Sequence, residues 1–373
     1  MRRRIPTSEL FIAYKKKLIR KELIANPSNR PENYLLWGLE SYASKGFTVK
    51  HNLDRQETTL ETRINKTINK FLKILGVPGG DWLTILKNHK SINKSDVMLS
   101  TVDNVGIPAV ILKRIGLIKT PIIYVSVGLP EQIDKIKTRV LRKFYLNSLR
   151  NTKHFICYSI VEKERLKSLL HTGDEKVSFI PLGIMTSFFN PLLEVNKQWD
   201  IVSIGADPMR DYALLAQFAV KHKKLKILIV TSANHSYIKH NKPGNLDCEF
   251  NISLDEAIKR FSAGKLIVLP VKENTYTGAT TTLLQAMCMQ KCVIVSNVGP
   301  IKKGYNLVSN ENCILVEPGN YTDLEASILS ALSNDELLEQ TGINGRRTVL
   351  EHNTWESFIS KTSALILEVI NPH

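Results

Sequence analysis

Apolar residues recur along this chain in short runs, and longer amphipathic segments separate the runs. Runs of about four to eight apolar residues have the length of buried strands, whereas apolar positions spaced three and four residues apart indicate helices. Strands that alternate with helices form a parallel sheet with helices on both faces. The predicted strands are residues 10–14, 47–53, 97–101, 121–127, 155–159, 177–181, 201–205, 225–231, 266–271, 292–296 and 313–317.

Two N-terminal segments allow more than one interpretation. Residues 10–14 are predicted to be a buried strand, and an amphipathic helix over 8–25 is the competing interpretation. Residues 56–75 are predicted to be a helix that packs its apolar side into the core, and docking on a membrane surface is the alternative. That apolar side consists of Leu60, Ile64, Ile68, Phe71, Leu72 and Leu75. Further helices are predicted at 33–45, 107–115, 131–150 and 161–170.

The alternation of strands and helices stops near Asn190-Pro191 and then begins again. It therefore predicts an α/β protein with two doubly wound, Rossmann-like domains that face a central cleft. The expected domains are 1–190 and 191–354, followed by a terminal helix over 355–373. Ligands of such folds bind beyond the carboxyl ends of the strands, so the loops after the strands are where chemistry is expected.

Composition and charge narrow the range of functions. The chain is 43% apolar and 23% charged, which excludes a disordered or collagen-like protein. Its five cysteines, odd in number, indicate reduced thiols in a cytoplasmic protein. Residues 1–153 hold 29 basic and 12 acidic residues, whereas the remainder has a net charge of −1. This asymmetry indicates an anionic partner for the first half, either nucleic acid, an anionic membrane surface or a phosphorylated substrate. A solvated basic surface is the alternative.

Several motifs of common enzyme classes are absent from the sequence. It contains no GxGxxG, GxxxxGK[ST], GxSxG, HExxH or DxD motif. We therefore expect neither a redox cofactor nor a bound metal, and a nucleotide diphosphate would have to be held without a divalent ion. The basic half also lacks interleaved aromatic and basic motifs or a known reading module, so nucleic acid is not expected as the partner.

Two loops of the second half carry candidate chemistry. After strand 201–205, Gly205 allows a ligand to approach the backbone, and Arg210 offers a fork of donors to a phosphate. After strand 266–271, small hydroxyl residues open a helix whose first N–H groups and dipole attract anions. Together the loops could clamp a diphosphate. The alternatives are an exposed arginine near a helix start and a plain helix N-cap.

The residues of the second half resemble the GT-B-fold glycosyltransferases, most closely the retaining family 4. Residues 159–191 are similar to the inter-domain stretch of that family, and residues 277–299 to its donor-binding signature. The resemblance covers 154–360 well and 1–153 only in outline. It implies the GT-B fold, with the C-terminal helix crossing back to the first domain.

The same resemblance implies roles for individual residues. Arg210 stands where the family has the lysine of an Arg/Lys pair that stabilises the leaving diphosphate, and is the expected catalytic residue. The partner arginine position is filled by Ala206 or Asp207. Two glutamates of the family correspond to Thr277 and Gln285, so the identity of the sugar stays open. The expected donor-binding residues are Gly205, Arg210, Thr277, Gly278, Ala279, Thr280, Thr281, Thr282 and Gln285.

The expected acceptor side lies in the basic first half. Lys15, Lys16 and Lys17 follow the first predicted strand and suit an anionic or lipid-linked glycan, or contact with anionic lipid. Ser126 follows strand 121–127, where family members place a histidine.

These features predict a metal-independent glycosyltransferase of the hexosyltransferase type. It would move a sugar from a UDP or GDP donor to a glycan or lipid-linked acceptor, with retention, in the synthesis of a cell-surface polysaccharide, glycolipid or glycoprotein. Its expected location is the cytoplasm, with peripheral contact at the inner face of the membrane. The alternatives are a catalytically silent nucleotide-sugar or glycan-binding partner and a nucleotide-sugar 2-epimerase.

Overall fold

The chain folds into two compact units, each built on one parallel sheet. A computed structural model describes residues 8–15, 17–26, 30–55, 58–192, 195–240, 242–276 and 278–372. Within these residues, the first unit takes in the chain up to Ile180 and again from Ile359 onward. The second unit is Pro181–Phe358.

The first unit contains a six-stranded parallel sheet in the order β2-β1-β3-β4-β5-β6. Its strands are β1 (Glu9–Ala13), β2 (Thr48–His51), β3 (Val97–Ser100), β4 (Ile122–Ser126), β5 (His154–Cys157) and β6 (Val177–Phe179). The helices along this part of the chain are α1 (Leu18–Ala25), α2 (Leu39–Ser44), α3 (Thr59–Ile74), α4 (Trp82–Asn93), α5 (Asp103–Arg114), α6 (Leu129–Asp134), α7 (Arg139–Leu149) and α8 (Ile160–Leu170).

The second unit contains a six-stranded parallel sheet in the order β12-β11-β10-β7-β8-β9. Its strands are β7 (Trp199–Ile204), β8 (Ile227–Thr231), β9 (Leu246–Phe250), β10 (Gly264–Leu269), β11 (Val293–Ser296) and β12 (Ile314–Val316). Its helices are α9 (Tyr212–Lys221), α10 (Leu254–Ala263), α11 (Thr280–Cys288), α12 (Gly299–Lys302), α13 (Tyr321–Leu332) and α14 (Asp335–His352). The final helix is α15 (Trp355–Ile370), whose residues from Ile359 belong to the first unit.

The order of strands determines where each sheet can bind a ligand. A parallel strand covered by helices on both faces is buried on both sides, which explains the continuous apolar runs of the sequence. In the second sheet the chain first adds β8 and β9 on one side of β7 and then returns to place β10 on the other side. A crevice opens beyond the carboxyl ends of the strands at such a reversal. The second sheet has this crevice between β7 and β10, and the first sheet has it between β1 and β3.

Most predicted strands are confirmed, including the first. Residues 10–14 fall on β1, a central strand between β2 and β3, so the helical interpretation of 8–25 is wrong for this segment. The polar edge strand β9 was not predicted, because its sequence has charged residues at alternate positions and lacks a continuous apolar run.

Two predicted helices are each broken into two pieces. In 33–45, a short 3-10 helix (Pro31–Leu36) is followed by Trp37 and Gly38 with left-handed backbone, and α2 begins only afterwards. A side chain at Gly38 would collide with Ile359, so a glycine is needed at this turn. The segment 131–150 likewise divides into α6 and α7.

Helix α3 is present, but the prediction that it packs its apolar side into the core is wrong for most of that side. Leu60 is 66% exposed and Phe71 is 60% exposed, and Ile64 and Leu75 are exposed as well. Only Ile68 and Leu72 of the predicted apolar side are partly buried. Within the described residues, no helix is both long and apolar enough to span a membrane.

Candidate functional site

The loops after β7 and β10 meet at the reversal point of the second sheet. Arg210 forms an isolated antiparallel bridge with Val271. Two backbone hydrogen bonds flank that bridge: the amide of Asp211 donates to the carbonyl of Pro270 at 2.9 Å, and the amide of Lys272 donates to that of Met209 at 2.8 Å. These bonds fix the position of the arginine backbone relative to the start of α11.

The Arg210 side chain is buried without a full set of partners. It is 1% exposed, and its Nη2 donates to the Thr282 hydroxyl at 3.0 Å. Its Nε and Nη1 have no hydrogen-bond partner among the described residues. Burial lowers the pKa of Arg210, whereas Tyr212 and Asp207 raise it. An arginine nevertheless stays protonated in proteins, so a positive charge with free donors lies at this place. The alternative of an exposed arginine near a helix start is therefore wrong.

Gly205 provides the space that the guanidinium occupies. A Cβ at this position would collide with Cζ and Nε of Arg210. The carbonyl of Gly205 accepts hydrogen bonds from the hydroxyls of Tyr212, at 2.6 Å, and Thr231, at 2.7 Å. The first loop glycine is therefore needed for side-chain packing against Arg210, and its backbone is fixed by two neighbouring elements.

The start of α11 lies beside Arg210, and the backbone amides of its first turn have no backbone acceptor among the described residues. Within the part of the chain that the structure describes, the first amide of α11 with a backbone acceptor is that of Leu283, which donates to Ala279 at 2.9 Å. The N–H groups of Thr280, Thr281 and Thr282 precede it, and the methyl side chain of Ala279 at the N-cap cannot accept hydrogen bonds from them. The helix dipole adds partial positive charge at this end. The structure therefore places the predicted residues Gly205, Arg210, Gly278, Ala279, Thr280, Thr281 and Thr282 together.

Asp207 connects the two loops. Its carboxylate accepts from the amide of Met209 at 2.8 Å and from the hydroxyl of Tyr276 at 3.1 Å. A Cβ at Gly278 would lie 2.8 Å from Asp207 Oδ1, so glycine at 278 lets this carboxylate approach the loop closely. From the sequence, Asp207 was interpreted only as a residue at the position of the family's arginine. In the structure its carboxylate contacts Tyr276 of the opposite loop.

Two further residues at the site were not identified from the sequence. His235 follows β8, is 3% exposed, and its Nε2 lies 2.9 Å from the carbonyl oxygen of Asp207. Its Nδ1 has no hydrogen-bond partner among the described residues. Asn274 is buried as well, and its side-chain oxygen also has no hydrogen-bond partner in the described ranges. The rule that ligands bind beyond strand carboxyl ends could have identified His235, because it lies in the loop after the neighbouring strand.

The two positions that replace the family's glutamates have different outcomes. Gln285 is buried on α11, one helical turn after Thr281 and Thr282, so it lies on the same side of the helix as they do. Thr277 lies outside the described residues.

The predicted acceptor residues belong to the first unit. Lys15 follows β1 and is exposed, Lys17 is the N-cap of α1, and Lys16 lies outside the described residues.

Ser126 is fully buried at the end of β4, and its hydroxyl donates to Glu162 at 2.6 Å. Burial raises the pKa of Glu162 to about 7, against hydrogen bonds from Ser126 and Gly128 that lower it. Ser126 therefore anchors the loop after β4 through this carboxyl group.

Potential metal ligands are scattered in the described ranges. No group of three or more His, Cys, Asp or Glu side chains there is arranged to hold a metal ion.

Known proteins share this fold and, in part, its sequence. Residues 202–334 match the family model of glycosyl transferases group 1. No curated protein matches the chain in sequence. Among solved structures, the sucrose-phosphate synthase of Thermosynechococcus elongatus is similar with a TM-score of 0.72 and 15% identity, over 97% of this chain and 99% of that one.

Two other solved structures are similar over nearly their whole length. A glycosyltransferase from Rickettsia africae has a TM-score of 0.65 and 13% identity, over 99% of this chain and 100% of that one. HepE of Anabaena, in complex with UDP-glucose, has a TM-score of 0.70 and 10% identity, over 96% of this chain and 99% of that one. These likenesses show the GT-B fold, and the matched family model includes both loops of the site. The chain is thus a glycosyltransferase of the GT-B fold that carries a group 1 glycosyltransferase domain in its second unit.

Proposed function

We propose that the second unit binds the diphosphate of a nucleotide sugar between Arg210 and the start of α11. The observation that carries this proposal is the buried guanidinium, two of whose nitrogens have no hydrogen-bond partner within the described part of the chain. A buried charge without partners is costly, and a phosphate would accept from its free N–H groups. The amides of Thr280, Thr281 and Thr282 in the first turn of α11 would complete the anion site.

Transfer of the sugar requires that negative charge on the leaving diphosphate be stabilised. Arg210 and the helix start would supply donors for that charge, and the hydrogen bond between Arg210 and Thr282 supports this role. The amide of Gln285 can hydrogen-bond ribose hydroxyls. We include metal independence in the proposal, since these donors could neutralise a diphosphate without a divalent ion. Retention of configuration is proposed from the resemblance to family 4.

The donor class is proposed to be UDP or GDP with a hexose. The structurally similar HepE was solved with UDP-glucose, which favours UDP. The acceptor is proposed to be an anionic or lipid-linked glycan for a cell-surface polysaccharide, glycolipid or glycoprotein, with the reaction at the inner face of the membrane. The exposed Lys15 supports an anionic acceptor, because it follows β1 at the reversal point of the first sheet.

Calorimetric titration with UDP-, GDP-, ADP- and dTDP-sugars in the presence of EDTA tests the donor site. We expect one nucleotide class to bind wild type with micromolar affinity and to lose binding to Arg210→Ala. Arg210→Lys should bind weakly, because an ammonium retains the charge without the fork of donors. Arg260→Ala is the matched control, because Arg260 on α10 pairs with Glu249 of β9 and its loss should not affect donor binding.

Four results would contradict parts of the proposal. Equal donor binding by wild type and Arg210→Ala would show that Arg210 does not hold the diphosphate. Donor binding that appears only after a divalent metal is added would show that the site needs a metal ion. Donor binding without transfer to any glycan acceptor would favour the silent binding partner. Conversion of the donor to its 2-epimer would favour the epimerase, because Asp207 and His235 supply a carboxylate and an imidazole at the site.

A further inference from the structure

Helix α3 is attached to the first unit by its polar side. The Asn69 side chain accepts from the amide of Gly80 at 2.7 Å and donates to its carbonyl at 3.0 Å. Asn65 accepts from the amide of Trp82 at 3.1 Å and donates to the Asp81 carboxylate at 3.1 Å. Two asparagines one turn apart therefore fix α3 to the segment that leads into α4.

The only acidic residue of α3 also lies on this attached side. Glu61 is 6% exposed and forms ion pairs with Arg55, at 2.7 Å, and with Lys87. It also completes a capping box with Thr58 at the start of the helix. The single carboxylate of the helix is thus neutralised and turned away from solvent.

The outward side of α3 carries an apolar stripe. Leu60 is exposed, Ile64 and Phe71 lie on the same side at helical spacing, and the stripe ends at Ile74, which is 75% exposed, and Leu75. Removing a side chain of this type from water is favourable. An exposed stripe of five large apolar residues therefore indicates a surface that is covered when the protein works.

A basic stripe runs beside the apolar one. Arg63, Lys66, Lys70 and Lys73 are all exposed on α3, and the exposed side contains no acidic residue. Apolar side chains next to a row of basic ones are typical of helices that lie in the interface of a bilayer. The apolar groups enter the acyl boundary, and the basic groups contact anionic headgroups.

We propose that α3 docks the chain on an anionic phospholipid bilayer, with its axis in the membrane plane. The apolar stripe (Leu60, Ile64, Phe71, Ile74 and Leu75) inserts, and the basic stripe binds headgroup phosphates. The net charge of +17 in residues 1–153 favours this occupant over a second basic copy of the chain. Docking through α3 uses no residue of the donor site and is independent of it.

Vesicle co-sedimentation of the full chain tests the proposal. Wild type should bind vesicles of equal parts phosphatidylglycerol and phosphatidylcholine far more strongly than vesicles of phosphatidylcholine alone. Ile64→Ser with Phe71→Ser should lower the partition coefficient at least about tenfold, since two side chains lose their transfer into the acyl boundary. The matched control is Val220→Ser with Val308→Ser, which changes two exposed apolar residues of the second unit and should leave binding unchanged.

A second pair of variants tests the basic stripe separately. Lys66→Gln with Lys70→Gln should weaken binding to the anionic vesicles about 25-fold, or about fivefold for each lysine, which corresponds to ~1 kcal/mol each. Lys223→Gln with Lys224→Gln removes two exposed lysines of the second unit and is the charge-matched control. Circular dichroism and donor calorimetry on each variant establish that folding and nucleotide binding are intact.

Four results would overturn docking through α3. These are absence of binding to either vesicle, equal binding to both, and unchanged binding after the apolar substitutions. The fourth is a dimer in vesicle-free solution that the apolar substitutions dissociate, because the occupant would then be a second copy of the chain. Loss of donor binding by Arg210→Ala leaves each of these results unaffected, so the two proposals fail separately.

Discussion

The second unit buries a charged side chain, whereas the first unit exposes apolar ones. Arg210 is 1% exposed, and two of its nitrogens find no hydrogen-bond partner in the ranges that the structure describes, whereas Phe71 on α3 is 60% exposed. Either arrangement lowers the stability of the isolated protein, because a charge loses its hydration and apolar surface remains in water. Each cost disappears when a matching partner binds, and the two partners differ in chemistry. The contrast teaches that a departure from ordinary burial indicates the type of ligand.

The largest expected effect concerns the buried charge. Arg210→Ala should lower the rate of sugar transfer about 10²–10³-fold, the usual loss for one fixed donor to a developing negative charge. The measurement is release of nucleoside diphosphate from the donor that calorimetry identifies. Arg260→Ala, assayed in parallel, should retain the wild-type rate. Full turnover by Arg210→Ala would show that the buried charge of Arg210 does not stabilise the leaving diphosphate.

The second expected effect concerns a buried carboxyl group of the first unit. Burial raises the pKa of Glu162 from 4.5 to about 7, so the folded protein holds a proton that the unfolded chain releases at lower pH. This contribution to stability is complete below about 4.5 and is lost as the pH rises through about 7, a change of about 3 kcal/mol.

Glu162→Gln keeps an oxygen that can accept from Ser126 and Gly128 but removes the titration. We expect the difference in unfolding free energy between wild type and this variant to change by about 3 kcal/mol between pH 4.5 and pH 7. Urea denaturation at a series of pH values measures it. A difference independent of pH would show that Glu162 has the same pKa in the folded and unfolded chains.

The third expected effect concerns the stability of the protein without ligand. Arg210→Met should raise the free energy of unfolding by about 1–4 kcal/mol, because a buried ion without sufficient partners is replaced by an apolar side chain of similar length. Thermal denaturation in the absence of nucleotide measures the change. A destabilised variant would mean that the guanidinium already has adequate partners in the free protein.

The smallest expected effect concerns the exposed stripe. Phe71→Ala should change the free energy of unfolding by no more than about 0.5 kcal/mol in the absence of lipid, since the side chain is mostly in water. Phe155→Ala, in the buried strand β5, is the reference for a core phenylalanine and should cost about 3–5 kcal/mol. Similar losses for the two variants would place Phe71 in the core and remove the contrast.

The sequence predicted the sheets well because a parallel strand buried on both faces must be apolar throughout. It predicted the edge strand β9 poorly, since such a strand has solvent on one side and its charged residues interrupt the run. The break at Gly38 also could not be predicted, because it depends on Ile359, which lies more than three hundred residues away in the chain.

The sequence by itself determined two alternating α/β series, the excess of positive charge in the first, and the two loops that carry Arg210 and the start of α11. Only the tertiary structure decided that Arg210 is buried and that His235 lies at the same site, because burial depends on elements distant in sequence. It likewise decided which side of α3 faces the protein. The periodicity identifies an apolar side, but Asn65 and Asn69 bind the neighbouring segment and turn that side outward.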